Sequence, residues 1–300
     1  TNMASLFHNC QALAKLDISS FDTSQVTDMG AMFTYCSKLT QLDFTLFDTR
    51  NVTDMNVMFY NCKRITSLNL NGFDTSNVTD MCGMFSNCLK LTSLDLSNFK
   101  TSQVINMGGM FNGCNTLTNL DLSSFDTSRV INMSGMFDNC KQLISLNLIN
   151  FNTSKVLSMS MMFRECLSLT SLDLINFDTR KVLSMSGMFK NCKALAKLDL
   201  SNFDTSTTTD MGFMFKGCSH LAMLDLSNFD IRYGTYIESM FEDCKSLTTI
   251  YISDKWNTDE AVYSENVFEG CDSIPNFNPE KIDIEMAKPK TEGGYLTLKK

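Results

Sequence analysis

The chain has 300 residues, of which 43% are hydrophobic and 19% charged, and its formal net charge is −8. This apolar content is too high for a disordered polar chain, and no run of about 18 apolar residues is long enough to span a membrane. The acid excess in both halves disfavours nucleic acid as a partner. Met, Phe and Cys are abundant, but only 2 His are present, which leaves little room for His-based catalysis or metal sites.

The cysteines reveal an internal repeat of 26 residues. One Cys recurs at this interval from Cys10 to Cys244, Cys271 follows 27 residues later, and Cys82 lies off the series. Most of the Met and Phe residues occupy fixed positions in the same frame. Units of this size cannot bury a core alone, so they stack as a solenoid. The sequence therefore predicts one solenoid of about ten coils over residues 1–274, roughly 48 Å long at the spacing of neighbouring strands.

Each repeat begins with a segment that predicts a short strand. In the first complete copy, Leu13, Leu16 and Ile18 follow the pattern L-x-x-L-x-L. The alternation of Leu16 and Ile18 with Asp17 is typical of a strand with one buried face. Parallel strands from successive coils would then form a sheet along one face of the solenoid.

The second half of each repeat predicts a two-turn helix. Met29, Met32, Phe33 and Cys36 have the i, i+3, i+4, i+7 spacing of one helical face. Asp, Asn and Ser, the best helix N-caps, precede this run in eight consecutive copies, at Asp28, Asp54, Asp80, Asn106, Asn132, Ser158, Ser184 and Asp210. Four copies carry an apolar residue just before the cap, which we expect to form a hydrophobic staple with the fourth helical residue. These residues are Ile105, Ile131, Leu157 and Leu183.

The repeat text LTSLDLSNFDTSxVTxMxxMFxxC resembles that of the BspA-like leucine-rich-repeat surface proteins of bacteria and some parasitic protists, over residues 1 to about 274. In this chain Phe replaces the usual Asn or Cys after the last Leu, so we expect an aromatic spine in place of an Asn hydrogen-bond ladder. The predicted fold is an α/β solenoid with a parallel β-sheet on one face and short helices on the other. The resemblance implies a non-enzymatic protein, at the cell surface or secreted, that adheres to host or partner proteins.

The Cys series admits three interpretations. Like positions in adjacent coils fall within the Cα distance of a disulfide, and a metal stack is a further alternative. We favour buried free thiols, because the series occupies an apolar position and free Cys behaves as a small hydrophobe. We expect Cys82, off the series, to be exposed and reactive. No catalytic residue, metal or cofactor is expected.

The outward positions of the strands contain the candidate binding residues. One outward column is mostly acidic, and its carboxylates repel each other at the coil spacing. It is either a solvated acidic face or a strip for a cationic partner, for which a basic protein segment ranks above Ca²⁺ with its six to eight oxygen ligands. The column includes Asp95, Asp121, Asp173 and Asp199.

Apolar residues replace Thr, Ser or Asn at other outward positions of the later copies. Exposed apolar patches rimmed by polar residues mark interaction sites, so we predict a protein-binding patch flanked by Asp173 and Asp199. Drift of the repeat sequence or contact with a neighbouring domain is the alternative. The patch residues are Ile144, Ile149, Ile175 and Met223, together with Ala196 and Ala222.

A basic stripe is expected around the helices of the same copies, opposite the acidic face, where it would meet anionic glycans or cell-wall polymers or remain a solvated face. It consists of Arg129, Lys155, Arg164, Arg180, Lys181, Lys190 and Lys216.

The two ends differ from the repeats between them. Thr1 aligns with Thr27, so we expect the chain to begin inside a repeat and to lack its N-terminal cap. Residues 275–300 contain all 3 Pro, and we expect a C-terminal cap followed by a short strand or a linker to another module. The predicted function is protein binding by a monomeric surface adhesin. A rigid spacer, a glycan or cell-wall binder and, more remotely, a hydrolase are the alternatives.

Overall fold

The computed structural model describes residues 2–232, 235–259 and 261–299. Its repeats wind as stacked coils, and parallel backbone bridges join residues 26 positions apart from Asn2 to Val262. The N–H of Met29, for example, donates to the carbonyl of Asp54 at 3.0 Å. The predicted solenoid is therefore confirmed, and each coil obtains backbone hydrogen bonds and core from its neighbours.

Regular strands occur only near the C-terminus of the described chain. Strands β1 (Met223–Asp225), β2 (Thr249–Ile252) and β3 (Thr297–Leu298) form a parallel sheet in the order β1-β2-β3. In earlier coils the equivalent segment is extended and makes isolated hydrogen bonds to its neighbour, such as that from the N–H of Ile144 to the carbonyl of Thr118 at 3.1 Å. The predicted sheet is thus incomplete over most of the array.

The strand segments nevertheless show the predicted alternation of buried and exposed side chains. Leu42 and Phe44 are buried, whereas Asp43 between them is exposed. We name the outward side chains of these segments the sheet face. The aromatic spine is also present, since Phe47 and Phe73 of successive coils are buried.

The predicted two-turn helices were wrong, because the described residues contain no α-helix. Residues 30–35 form consecutive turns instead. The N–H groups of Ala31 and Phe33 donate to carbonyls of the next coil at 2.8 and 2.9 Å, whereas a helix would direct them four residues back. Ala31 and Tyr35 have φ angles of 55° and 62°, in the left-handed region that an α-helix excludes.

Two positions in each coil require this left-handed backbone, and Gly or Asn occupies many of them. Gly83, Gly109 and Gly135 all have a φ of 59°, and Asn61 and Asn87 have 60° and 59°. Glycine adopts this conformation without steric cost and Asn tolerates it better than most residues. The recurrent Gly and Asn were therefore the sequence signal for turns.

The predicted caps act on these turns. Asp54 Oδ1 accepts the N–H of Asn56 at 2.8 Å, and Asn132 Oδ1 accepts that of Ser134 at 2.9 Å. The predicted staples were wrong, since a staple needs a helix to pack on. Instead, successive side chains alternate between inward and outward positions here. Val156 is buried, and Leu157 points outward with 42% of its surface exposed.

Asn side chains also bond between coils, at the position just before the Phe of the aromatic spine. Asn98 Nδ2 donates to the carbonyls of Leu70 and Phe73 of the preceding coil at 3.0 and 2.9 Å. Asn202 makes the equivalent bonds one hundred and four residues later, to Leu174 and Phe177 at 2.9 and 2.7 Å. Asn150 and Asn176 make one such bond each, whereas Leu46 and Gly72 hold this position in earlier coils. Asn side chains therefore link some of the coils but do not form a continuous ladder.

A column of buried Thr hydroxyls also joins the coils. Thr153 Oγ1 donates to the carbonyl of Asp178 at 2.9 Å and accepts the N–H of the same residue at 2.7 Å. Buried backbone groups need partners of this kind. The same double contact recurs at Thr49, Thr75, Thr101, Thr127, Thr179 and Thr205.

The C-terminal segment packs on the last coils. It contains two 3₁₀ helices, Ile284–Met286 and Lys290–Glu292. The indole N–H of Trp256 donates to the carbonyl of Ala287 at 3.1 Å, and Tyr295 is buried. Pairing of β3 with β2 then extends the sheet by one strand.

Candidate functional site

Three isoleucines of the sheet face are exposed. Ile144, Ile149 and Ile175 expose 52%, 47% and 54% of their surface, whereas the neighbouring Leu148 and Leu174 expose only 2% each. The alternation of the segment therefore puts Leu inside and Ile outside. We name Ile144, Ile149 and Ile175 the isoleucine patch.

Hydrogen bonds between coils show that Ile149 and Ile175 lie in adjacent coils. Asn176 Nδ2, next to Ile175, donates to the carbonyl of Ile149 at 2.6 Å. Met223 lies in β1, two coils beyond Ile175, and is 55% exposed. The intervening coil presents Lys197 and Ser201 to solvent, so Ile149 and Ile175 lie in adjacent coils but Met223 is separated from them.

Carboxylates beside the patch are held by the backbone. Asp173 Oδ1 accepts the N–H of Ile175 at 3.0 Å, and Asp199 Oδ1 accepts that of Ser201 at 2.9 Å. The backbone hydrogen bond from Ser201 and its hydroxyl lower the pKa of Asp199 from its ordinary value. Equivalent bonds lower the pKa values of Asp95 and Asp121, so these carboxylates are ionised at neutral pH.

The predicted basic stripe is partly neutralised by ion pairs. Arg164 binds the buried carboxylate of Asp138 through two hydrogen bonds of 2.8 and 2.6 Å. Lys216 pairs with Glu242 at 2.6 Å and Arg180 with Asp178 at 2.6 Å. Neither Lys155 nor Lys181 forms an ion pair within the described ranges, and both are exposed.

A depression that the sequence analysis did not identify lies on the sheet face of the first coils. Its volume is about 610 Å³, and Lys15, Gln41 and Ser67 line it together with Asp17, Asp43 and Asn69. Leu16 and Leu42 also line it, and the isoleucine patch lies several coils away. The depression and the apolar patch are therefore separate features of one face.

The Cys series is present as free thiols, and all but Cys10 are buried. The thiol of Cys140 donates to the carbonyl of Phe111 in the preceding coil at 3.2 Å. Cys82 is only half-buried, but burial and the nearby Asp80 carboxylate raise its pKa. A raised pKa lowers the thiolate fraction, which corrects the expectation that Cys82 is an exposed and reactive thiol.

The described residues hold no group of three or more His, Cys, Asp and Glu side chains that could bind a metal ion. Within the same ranges, the model contains no helix that has both the length and the apolar character needed to cross a membrane.

Comparison with known proteins identifies the class of this solenoid. A family model described as "Mycoplasma protein of unknown function, DUF285" matches residues 1–91, 64–172 and 158–280. The structure is similar to a leucine rich cell surface protein from Faecalibacterium prausnitzii A2-165, with 18% identity, a TM-score of 0.51, and coverage of 98% of this chain and 78% of that chain. At this identity the likeness shows the leucine-rich-repeat fold.

Two other solved structures are more distant. A leucine-rich-repeat protein from Eubacterium ventriosum is 16% identical over 86% of this chain and 78% of that chain, with a TM-score of 0.32. An internalin from Listeria monocytogenes is 16% identical over 84% of this chain and 71% of that chain, with a TM-score of 0.29. A search of the curated proteins gives no significant match.

Proposed function

Because the chain belongs to the DUF285 family and is a BspA-like leucine-rich-repeat protein, we propose that it is a binding module without catalytic activity. It acts at a bacterial cell surface or after secretion, and it contacts a protein partner through its sheet face. Residues 1–274 are one array in this proposal, and residues 275–300 close its C-terminal end.

The exposure of the isoleucine patch is the observation that supports this function most. Ile149 and Ile175 occupy an outward position where earlier and later coils carry Ser, as at Ser97, Ser123 and Ser201. Each half-exposed isoleucine leaves apolar surface in water, and its burial by a partner would contribute about 1 to 2 kcal/mol. Such clusters are typical of protein interfaces.

The charges around the patch define the partner's chemistry. Asp173 and Asp199 are exposed beside the isoleucines, and cationic groups on a partner would complement them. A partner surface with Leu or aromatic side chains next to Lys or Arg therefore fits best. The contact would weaken as the salt concentration rises.

Lys155 and Lys181 favour a second candidate, the binding of an anionic glycan or cell-wall polymer. Both are exposed and lack an ion-pair partner in the described part of the chain. A rigid spacer is the remaining alternative, supported by the continuous stacking of the interior, and it needs no ligand.

The test uses purified wild-type protein on a panel of extracellular proteins and on a glycan array. The double variant Ile149→Ser with Ile175→Ser is expected to bind its protein partner at least about tenfold more weakly, a loss of about 1.4 kcal/mol or more. The double variant Leu157→Ser with Leu183→Ser makes the same chemical change on another exposed face. It should bind the partner as the wild type does at concentrations where the wild type is monomeric.

The other outcomes separate the candidates. Equal binding by the wild type and by Ile149→Ser with Ile175→Ser would reject the patch as the site. Binding only to anionic glycans, lost in Lys155→Glu with Lys181→Glu, would favour the glycan function. No binding on either panel would favour the spacer.

A further inference from the structure

A second apolar surface runs along the flank of the solenoid. Ile131, Leu157 and Leu183 expose 42%, 42% and 50% of their surface, and Ile105 is partly exposed. We name these four residues the flank stripe. The N–H of Leu157 donates to the carbonyl of Ile131 at 2.9 Å, and that of Leu183 donates to Leu157 at 2.8 Å. The stripe is therefore continuous over successive coils.

A row of cations accompanies the flank stripe. Arg129, Lys155 and Lys181 each lie two residues before a stripe residue, separated from it by a buried Val. Arg129 hydrogen-bonds to Gln103 of the preceding coil, and the two lysines are free of ion pairs in the described chain. Charged and apolar side chains thus stand side by side on one outward surface.

Around Ile175 the sheet face has the same layout with the opposite charge, whereas the neutral Asn147 holds the equivalent position before Ile149. In the segment Lys155-Val156-Leu157 a cation precedes an exposed apolar residue by two positions. In Asp173-Leu174-Ile175 a carboxylate does so. Asp173 uses one oxygen to bind the N–H of Ile175. Both surfaces also repeat at the same coil spacing, because they belong to the same array of coils.

We propose that the flank stripe of one molecule docks on the sheet face of a second copy of this chain. Leu157 and Leu183 would pack on Ile175 and Ile149 of the second copy. Lys155 would then face Asp173, and Lys181 would face the neutral Asn147, which precedes Asp173 in the mostly acidic column. The proposal rests on the proposed function only in that it uses the same isoleucine patch. It adds a new surface and a defined partner.

Geometry restricts how the two copies meet. Viewed from outside, the chain runs in the same sense around every face of a coil. In two facing copies, the cations therefore lie opposite the mostly acidic column and the apolar columns lie opposite each other only when the solenoid axes are antiparallel. Backbone N–H groups of the stripe are already bonded between coils, so the contact uses side chains and does not add a strand.

The contact is heterologous, because each molecule offers two different surfaces to its neighbours. Wild-type protein should therefore form open-ended oligomers that grow with concentration and dissociate in high salt. Only the molecule at one end of such an oligomer would keep a free sheet face. A partner protein and a second copy would compete for the same isoleucines.

Mixing two variants tests this directly by sedimentation velocity. Leu157→Ser with Leu183→Ser removes the stripe, and Ile149→Ser with Ile175→Ser removes the patch. Each variant alone should remain monomeric at concentrations where the wild type associates. An equal mixture should form a one-to-one dimer, because one variant keeps the patch and the other keeps the stripe.

A charge-swapped pair checks the same contact without altering the apolar residues. Lys155→Glu with Lys181→Glu should not self-associate, and neither should Asp173→Lys with Asp199→Lys, whereas their mixture should. A mixture that remains monomeric in both experiments would overturn the proposal. So would association of the single variants at wild-type strength.

Two outcomes identify other occupants. If the wild type is monomeric but binds phosphatidylglycerol vesicles through the stripe, a lipid surface replaces the second copy and the proposal is overturned. If self-association is absent while the Ile149→Ser with Ile175→Ser variant still loses a protein partner, only this inference fails and the proposed function stands.

Discussion

The inward and outward columns of this solenoid differ in how they vary along the chain. Inward positions keep the same residue in coil after coil, as Phe111, Phe137 and Phe163 do with ring centroids 5.8 and 5.7 Å apart. Outward positions change, and Ser123 in one coil is replaced by Ile149 in the next. Repetition inside is required because each coil packs only on its neighbours. Outward positions are free of that constraint, so the residues that change there are the candidates for function.

This difference leads to distinct expectations for the two regions. Changes at inward positions should lower the free energy of unfolding without altering the binding surface. Changes at outward positions should leave stability within about 0.5 kcal/mol of the wild type and alter binding alone.

Alkaline pH should have the largest effect on stability. Burial raises the pKa of Cys36 from 9.0 to about 11 and that of Cys218 to about 12. Because the folded pKa is the higher one, the contribution of these thiols is complete below pH 9 and is lost as pH rises toward 11 to 12. Each fully buried thiol costs about 1.4 kcal/mol per pH unit in that window.

Urea unfolding followed by circular dichroism from neutral pH upward measures this loss. The variant Cys140→Ala removes one buried thiol, and its stability should fall less steeply with pH than that of the wild type. An unfolding midpoint that stays constant above the ordinary thiol pKa would show that the series is not buried as free thiols.

Phe137→Ala should produce the largest loss from a single substitution. Phe137 is fully buried and stacks on a ring in each neighbouring coil. Truncation of such a side chain costs about 3 to 5 kcal/mol. Ile144→Ala is the outward control and should cost less than about 0.5 kcal/mol. Similar losses in urea unfolding for the two variants would remove the distinction between the regions.

Thr153→Val should destabilise the protein by about 1 to 3 kcal/mol. The substitution preserves shape but leaves the N–H and the carbonyl of Asp178 without their hydroxyl partner. Thr170→Val changes an exposed Thr of the next coil and should be nearly neutral. A stable Thr153→Val variant in thermal unfolding would mean that the Thr column does not join the coils.

Gly109→Ala should have a smaller effect, but its sign distinguishes turns from helices. Gly109 has a φ of 59°, and the nearest atom to an added Cβ is 3.7 Å away, so the space is open. A left-handed Ala costs about 1 to 2 kcal/mol, whereas Ala in place of Gly inside a helix would gain about 1 kcal/mol. A higher unfolding midpoint would therefore support the helix that the structure lacks.

The sequence predicts one half of each coil better than the other for a physical reason. Leu42, Asp43 and Phe44 alternate with a period of two, and an extended chain is the simplest backbone that produces this pattern. Met29 and Phe33 have helical spacing, but a series of turns puts the same side chains inside. Hydrophobic periodicity reports which side chains are buried and not where the backbone hydrogen bonds go.

The candidate surfaces show the same limit. The exposure of Ile149 and Ile175 was predictable, because their position alternates with buried Leu. The exposure of Leu157 and Leu183 was missed, because the predicted staple depended on a helix. The separation of Met223 from the patch was also missed, because distances between side chains of different coils depend on the coil geometry, which the repeat text does not contain.

The most direct test of the central claim is the affinity of the Ile149→Ser with Ile175→Ser variant for a protein partner of the wild type, measured by isothermal titration on protein with an unchanged unfolding midpoint. We predict a dissociation constant that is at least about tenfold higher. A dissociation constant equal to that of the wild type would contradict the claim that the outward isoleucines carry the function.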